Sequence, residues 1–109
     1  MRWGDYLIQQ GYKDAAAVVV GSVLEQHLRK LSQRNNIDVV QSGGAPKKAD
    51  ALNSELAGAT VYSKLDQKSV TAWLDLRNKA AHGKYTEYTR EQVVLTLQGV
   101  RDFVSRFPA

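Results

Sequence analysis

A long segment near the start of the chain, residues 12–35, has apolar residues at helical spacing. These residues lie three or four positions apart and would form one stripe on a helix: Ala16, Val20, Val23, Leu24, Leu28 and Leu31. Residues 18–20 are all valine, and β-branched residues favour strands. Because the helical period continues on both sides of the valines, we predict one helix over residues 12–35. Residues 3–10 are a candidate for a short preceding helix, with Gly11 as the break.

Turn and cap residues define two further predicted helices. Pro46 suits the first turn of a short helix that follows a loop and runs to about Ala57. Thr89 and Gln92 have the spacing of a capping box, and the last helix, which they open, runs to about Arg106. Its buried stripe is predicted from apolar residues at helical spacing: Val93, Leu97, Val100, Val104 and Phe107.

The helix between these two, which begins near Ser63, is predicted from one apolar face and one polar face. Ser63 and Asp66 have N-terminal capping spacing, and Gly83 is placed to end the helix after His82. The apolar face is predicted to hold Val70, Trp73, Leu74, Ala80 and Ala81. The other face carries a polar stripe of Thr71, Asp75, Asn78 and His82. Four amphipathic helices with a common core predict one all-α domain over residues 1–109, an up-and-down bundle.

Composition narrows the chemistry available to this chain. It has no cysteine, which excludes disulfides, thiolate catalysis and cysteine metal sites. Its two histidines have no metal-ligand spacing, and there is no glycine-rich phosphate loop, so we expect neither a metal nor a cofactor. We expect a cytoplasmic protein, because no run could span a membrane and the start does not resemble a signal peptide. The formal net charge of +4 suits a nucleic-acid partner, but an ordinary basic surface would also explain it.

The strongest candidates for chemistry are Arg77, Asn78 and His82. On a helix Asn78 and His82 lie one turn apart on the same side, and Arg77 precedes Asn78 by about 100° of rotation. Arginine holds phosphate oxygens in a fork, and histidine moves protons, so the set suits a phosphodiester. The same residues also have a purely structural explanation. Cations near a helix C-terminus interact favourably with the helix dipole, whatever the function.

The segment from Leu76 to Gly83 resembles the R-x4-6-H motif of HEPN domains, including the polar residue after the arginine. The motif lies at the end of the penultimate predicted helix, as in that family. Residues 11–32 are similar to the long first helix of such domains, and residues 89–107 to the closing helix. The resemblance implies a helical bundle that forms a homodimer and joins two motifs in one composite site. It also implies a metal-independent endoribonuclease that leaves 2′,3′-cyclic phosphate ends.

The resemblance implies a role for each motif residue. His82 would deprotonate the ribose 2′-hydroxyl or protonate the leaving oxygen, Arg77 would hold the phosphate, and Asn78 would orient His82 or the phosphate. Lys79 and Lys84 would add contacts to RNA. Related domains occur in toxin–antitoxin and defence systems, so an antitoxin or a fused domain is a further expected partner. The alternative is a non-catalytic HEPN module for RNA or nucleotide binding, or for protein assembly.

Ordinary structural roles are expected for several other residues. Asp75 is expected to form a surface ion pair, and His27 to be partly buried and hydrogen-bonded. Tyr85 and Tyr88 are expected to pack the turn between two helices rather than to stack on bases. Gly21 and the alanines before it are expected to let helices approach closely within the bundle.

Overall fold

The computed structural model describes residues 12–109, so the candidate helix over residues 3–10 lies outside the described residues. The described chain forms four α-helices: α1 (Lys13–Arg34), α2 (Ala49–Gly58), α3 (Lys64–Ala81) and α4 (Arg90–Arg106). A short 3-10 helix, Tyr85–Glu87, connects α3 to α4. The predicted all-α bundle of four main helices is confirmed.

Helix α1 is the central element of the bundle and packs against all three other helices. Its core face is formed by Ala16, Ala17, Val20, Leu24, Leu28 and Leu31, each at most 3% exposed. The run of valines is helical, as predicted from the surrounding period. The prediction for Val23 is wrong, since this residue is 36% exposed. It lies about 100° of rotation from its buried neighbour Leu24, at the edge of the stripe.

The prediction that Pro46 begins α2 is also wrong, because α2 begins at Ala49. Pro46 forms an isolated antiparallel bridge with Val40. The next residue, Lys47, donates its backbone N–H to the Val39 carbonyl at 2.9 Å. The fixed φ of proline suits extended backbone as well as a first helical turn, so proline alone does not locate a helix start. The result is a short hairpin that ends against α1, beside the site described below.

A hydrogen-bonded turn fixes where α3 ends. His82 is its C-cap residue, and Gly83 follows with a φ of +72°. The Gly83 N–H donates to the Ala80 carbonyl at 3.2 Å, and the Lys84 N–H donates to the Lys79 carbonyl at 2.8 Å. This pair of bonds is a Schellman motif, in which glycine adopts the left-handed conformation at little cost. The predicted C-terminal glycine is therefore confirmed.

The apolar face of α3 is close to the predicted one. The buried residues of α3 are Val70, Leu74, Leu76 and Ala80. Ala81 is exposed, so its placement on the apolar face is wrong. Trp73 is half-buried and fits against Gly99 of α4, where an added Cβ would lie 2.4 Å from the indole Cζ2.

The start of α4 is fixed by the predicted capping box. The Gln92 N–H donates to Thr89 Oγ1 at 3.1 Å, and the Thr89 N–H donates to Gln92 Oε1 at 2.8 Å. The predicted core stripe of this helix omitted Phe103, which is fully buried and lies 5.2 Å from the Tyr62 ring. Val104 and Phe107, which that stripe included, are only partly buried. Phe103 lies inside the core because its ring contacts those of Tyr62, Trp73 and Phe107.

A buried amide joins α2 to α3. Asn53 is 2% exposed, and its Nδ2 donates to the Gln67 carbonyl and to Thr71 Oγ1, each at 3.1 Å. The Tyr62 hydroxyl donates to Asn53 Oδ1 at 2.5 Å. Thr71 is exposed, as predicted for a polar position, but it also completes this network. The network satisfies the polar atoms that Asn53 brings into the core, which would otherwise destabilise it.

Asp66 links the start of α3 to the end of α4. Its backbone N–H donates to Ser63 Oγ at 3.0 Å, which is the predicted N-cap, and Arg106 Nη2 donates to its Oδ1 at 2.9 Å. The hydrogen bond from Arg106 holds the pKa of Asp66 below its usual value, although burial acts in the opposite direction. A carboxyl group with a depressed folded-state pKa contributes stability above its unfolded pKa. That contribution is lost as the pH falls through the folded-state pKa.

We therefore expect Asp66→Asn to lower the free energy of unfolding by about 1 kcal/mol near neutral pH. The difference from wild type should shrink as the pH falls through the folded-state pKa of Asp66, where the wild-type carboxyl group is itself protonated. Urea unfolding at a series of pH values measures this. A matched control is Asp102→Asn, which removes the other carboxylate bonded to Arg106. A loss from Asp66→Asn that is equally large at all pH values would contradict the account.

Candidate functional site

A surface cleft contains Arg77, Asn78 and His82 together. It lies between α1, the segment before α2 and the end of α3, and its volume is about 450 Å³. We call it the α1–α3 cleft, defined by its lining: Glu25, Arg29, Pro46, Lys47, Lys48, Ala49, Asp50, Leu74, Arg77, Asn78 and His82. Helical spacing places the three candidate residues near one another on α3, and the cleft gives them a shared surface.

Arg77 reaches the cleft by packing its aliphatic stem against α1. The contact is at Gly21, where an added Cβ would lie 2.0 Å from Arg77 Cγ and 2.4 Å from Arg77 Cβ. Both distances are far below van der Waals contact, so no side chain fits at Gly21 unless Arg77 moves. The expectation that Gly21 allows close approach within the bundle is confirmed. The residue that approaches it is the candidate phosphate-binding arginine.

The guanidinium group of Arg77 is partly satisfied by neighbours. Its Nη2 lies 3.3 Å from Glu25 Oε2, and its Nη1 donates to Asn78 Oδ1 at 3.3 Å. Its Nε is buried and has no hydrogen-bond partner among the described residues. A buried donor without a partner is unfavourable. The unpartnered Nε is therefore an unfavourable feature of this arrangement of Arg77.

Arg29 of α1 binds the segment before α2, which forms one side of the cleft. Its Nη2 donates to the Lys47 carbonyl at 2.7 Å and lies 3.4 Å from Glu25 Oε1. Glu25 and Arg29 are therefore an i,i+4 ion pair along α1. Glu25 consequently lies between two arginines, with one carboxylate oxygen directed to each.

The cleft has an excess of positive charge. Its permanent cations are Arg29, Lys47, Lys48 and Arg77, and its carboxylates are Glu25 and Asp50, so the positive charges exceed the negative ones by two. Lys47 is also paired with Glu55 at 2.9 Å, which offsets part of this excess. A concave surface with surplus positive charge attracts anions and raises their local concentration.

His82 lies at the end of α3 and is exposed. Its backbone N–H donates to the Asn78 carbonyl at 3.0 Å, which keeps it in helical register with the other candidates. An exposed imidazole at a cleft can reach a bound molecule without disturbing the core. Histidine both accepts and donates protons, so this group is suited to proton transfer at a ligand in the cleft.

Lys79 and Lys84, the lysines proposed for RNA contacts, are not among the residues that line the cleft. Lys79 is rotated about 100° from Asn78 around the helix and pairs with Asp75 at 3.0 Å. The hydrogen bond that Lys79 donates to Asp75 raises the pKa of Lys79. The prediction of a surface ion pair for Asp75 is confirmed. Lys84 is exposed beyond the end of α3.

The sequence did not reveal several of the residues that line the cleft. Lys47 and Lys48 come from a segment predicted to be helical, and Glu25 is not among the candidates predicted from the sequence. A usable signal was present on α1, because Gly21, Glu25 and Arg29 follow one another at intervals of four residues beside the apolar stripe. That spacing places a small residue, an acid and a base in one row on the helix surface.

The remaining expectations for single residues have mixed outcomes. Tyr88 is buried and donates its hydroxyl hydrogen to Asp14 Oδ1, which confirms its packing role. Tyr85 is 48% exposed, so its predicted packing role is wrong. His27 is half-buried, and its Nε2 lies 2.7 Å from the Phe107 carbonyl, as expected for a hydrogen-bonded structural histidine.

Within residues 12–109, no group of three or more histidine and acidic side chains is close enough to hold a metal ion. Over the same range, no helix has the length and apolar character needed to cross a membrane. No family model, curated protein or solved structure matches this chain.

Proposed function

We propose that this chain is a HEPN-type endoribonuclease that acts on RNA as a homodimer, without a metal ion. The observation that carries the proposal is the α1–α3 cleft, where Arg77, Asn78 and His82 occur together with surplus positive charge. The Arg77 side chain is 32% exposed, which supports an anionic ligand, because phosphate oxygens can accept from its accessible Nη donors. The motif from Leu76 to Gly83 suggests that this anion is the phosphodiester of RNA.

The proposed reaction is an intramolecular transesterification. The ribose 2′-oxygen attacks the adjacent phosphorus while the bond to the 5′-oxygen of the next nucleotide breaks. One proton leaves the 2′-hydroxyl and one is added to the leaving oxygen, so the products are a 2′,3′-cyclic phosphate and a 5′-hydroxyl. His82 is suited to either proton transfer, and Arg77 to stabilising charge on the phosphate. Asn78, which accepts from Arg77, orients the guanidinium.

The two proton transfers support the proposal of a homodimer. His82 is the one histidine that lines the cleft in the described part of the chain. A second protomer would bring a second His82, so that one could act as base and the other as acid. Light scattering should therefore detect a dimer under the conditions in which RNA is cleaved. A monomer under those conditions would contradict the composite site.

A second candidate is a non-catalytic HEPN module that binds RNA or nucleotide, or that assembles with other proteins. It is favoured by the contacts of Arg77, whose guanidinium already engages Glu25 and Asn78. A group held in this way can bind an anion without being arranged for catalysis. If the chain acts as a toxin or in defence, we propose an antitoxin or a fused domain as its partner. We place this activity in the cytoplasm, where its RNA substrates are made.

The test of the proposed function is an incubation of purified protein with mixed single-stranded RNA in excess EDTA. We expect cleavage, and we expect the new 3′ ends to be cyclic phosphates, because no metal-activated water takes part. RNA affinity should also fall steeply with added salt, since the cleft binds phosphate through its cations. RNA binding without cleavage would favour the non-catalytic binding module over the endoribonuclease. Cleavage that EDTA abolishes would contradict the metal-independent mechanism.

A further inference from the structure

We infer that Glu25 is a positioning residue, which orients Arg77 in the α1–α3 cleft and releases it to an incoming phosphate group. This inference rests on the proposed function, because it takes RNA phosphate as the competing anion. It assigns a role to a carboxylate that would otherwise be unfavourable in a cleft for anions.

The contact between Glu25 and Arg77 is loose enough to exchange. Glu25 Oε2 lies 3.3 Å from Arg77 Nη2, whereas strong hydrogen bonds between charged groups are about 2.7–2.9 Å long. The Glu25 side chain is 28% exposed and that of Arg77 is 32% exposed, so water screens the pair only in part. The attraction is therefore sufficient to orient Arg77, but a phosphate with better geometry can replace it.

Arg29 keeps the Glu25 carboxylate paired when Arg77 turns to a phosphate. Glu25 Oε1 lies 3.4 Å from Arg29 Nη2, so the carboxylate keeps one cationic partner after Arg77 turns to a phosphate. A partly buried carboxylate without any partner would be unfavourable. Glu25 therefore has a cationic partner both while it contacts Arg77 and after Arg77 has turned away.

Gly21 limits how far Arg77 can move during the exchange. Gly21 is one helical turn before Glu25, and the stem of Arg77 packs against it. Because the stem is confined, only the end of the side chain is free to turn from carboxylate to phosphate. Gly21 therefore sets the position of the guanidinium, and Glu25 sets its orientation before phosphate binds.

Removing the negative charge of Glu25 should separate binding from catalysis. In Glu25→Gln the competing anion is gone, so RNA should bind about fivefold more tightly. The orienting contact is also gone, so the rate of cleavage at saturating RNA should fall about tenfold. A residue with only a structural role would weaken both properties together, or neither.

The experiment compares wild type, Glu25→Gln and the control Asp102→Asn, which makes the same charge change in an exposed pair on α4. Three quantities are measured: the NMR signal of Arg77 Nε–H, identified by its loss in Arg77→Lys; the affinity for a non-cleavable 2′-deoxy oligonucleotide; and the single-turnover cleavage rate. We expect Glu25→Gln to shift the Arg77 signal, tighten binding and slow cleavage. Asp102→Asn should leave the Arg77 signal and the rate unchanged. Circular dichroism confirms that both variants are folded.

The outcomes separate this inference from the proposed function. An unchanged Arg77 signal in Glu25→Gln overturns the positioning role, whether or not the wild type cleaves RNA. Unchanged or weaker oligonucleotide binding overturns the exchange with phosphate. If the wild type never cleaves RNA, a shifted signal and tighter binding in Glu25→Gln would support the inference. The lack of cleavage would overturn the endoribonuclease in favour of the binding module.

Discussion

Gly21→Ala is expected to lower the free energy of unfolding by about 3 kcal/mol, since it adds a methyl group where α1 and α3 are in contact. The new Cβ would lie 2.0 Å from Arg77 Cγ, so Arg77 must leave its position or the two helices must separate. Either response also moves the guanidinium in the α1–α3 cleft. Chemical unfolding measures the loss, and oligonucleotide affinity measures the displacement of Arg77.

Two further variants test the cause of that loss. Gly58→Ala is the matched control, because a Cβ at this glycine would meet nothing within 4 Å; it should be neutral or slightly stabilising. Arg77→Gly removes the atoms that the new methyl group would meet. In that background Gly21→Ala should cost less than about 1 kcal/mol. An equal cost in both backgrounds would show that the contact with Arg77 is not the reason why glycine is needed.

His82→Ala is expected to reduce RNA cleavage by at least about 100-fold, because it removes the proposed proton-transfer group. Its effect on stability should be small. His82 is exposed, and its backbone hydrogen bond to the Asn78 carbonyl does not involve the side chain that is removed. Single-turnover cleavage and thermal unfolding of the same preparation measure the two effects.

The other histidine of the chain provides the control. His27→Gln lies outside the cleft and changes a side chain that contacts the Phe107 carbonyl. We expect it to lower the unfolding temperature and to leave the cleavage rate of the folded protein intact. If His82→Ala cleaved RNA at the wild-type rate, the proposed chemistry would be refuted.

The helices could be predicted because their signals are local. The period of the α1 stripe was strong enough to override the strand preference of three valines, and the capping box at Thr89 and Gln92 located α4 to within one residue. The start of α2 was missed because Pro46 fits extended and helical backbone equally well. Val23 was missed because spacing defines the centre of a stripe better than its edges.

The candidate site was predictable only in the part contributed by α3. Asn78 and His82 share a face through helical geometry, so their presence in one cleft follows from the sequence. The contact of Arg77 with Glu25 joins residues far apart in the chain, and local periodicity carries no information about such pairs. Lys47 and Lys48 reach the cleft because Arg29 binds the Lys47 carbonyl, a contact that no sequence pattern marks.

The central claim is that RNA phosphate binds in the α1–α3 cleft, and its most direct test is an NMR titration of the wild type with a non-cleavable 2′-deoxy oligonucleotide. The account predicts that the amide signals of residues 47–49 and 77–83 and the Arg77 Nε–H signal shift together and saturate at one affinity. Signals of the outer face of α4, such as those of Leu95 and Asp102, should stay in place. Saturable shifts confined to another surface, or no shifts at all, would contradict the claim.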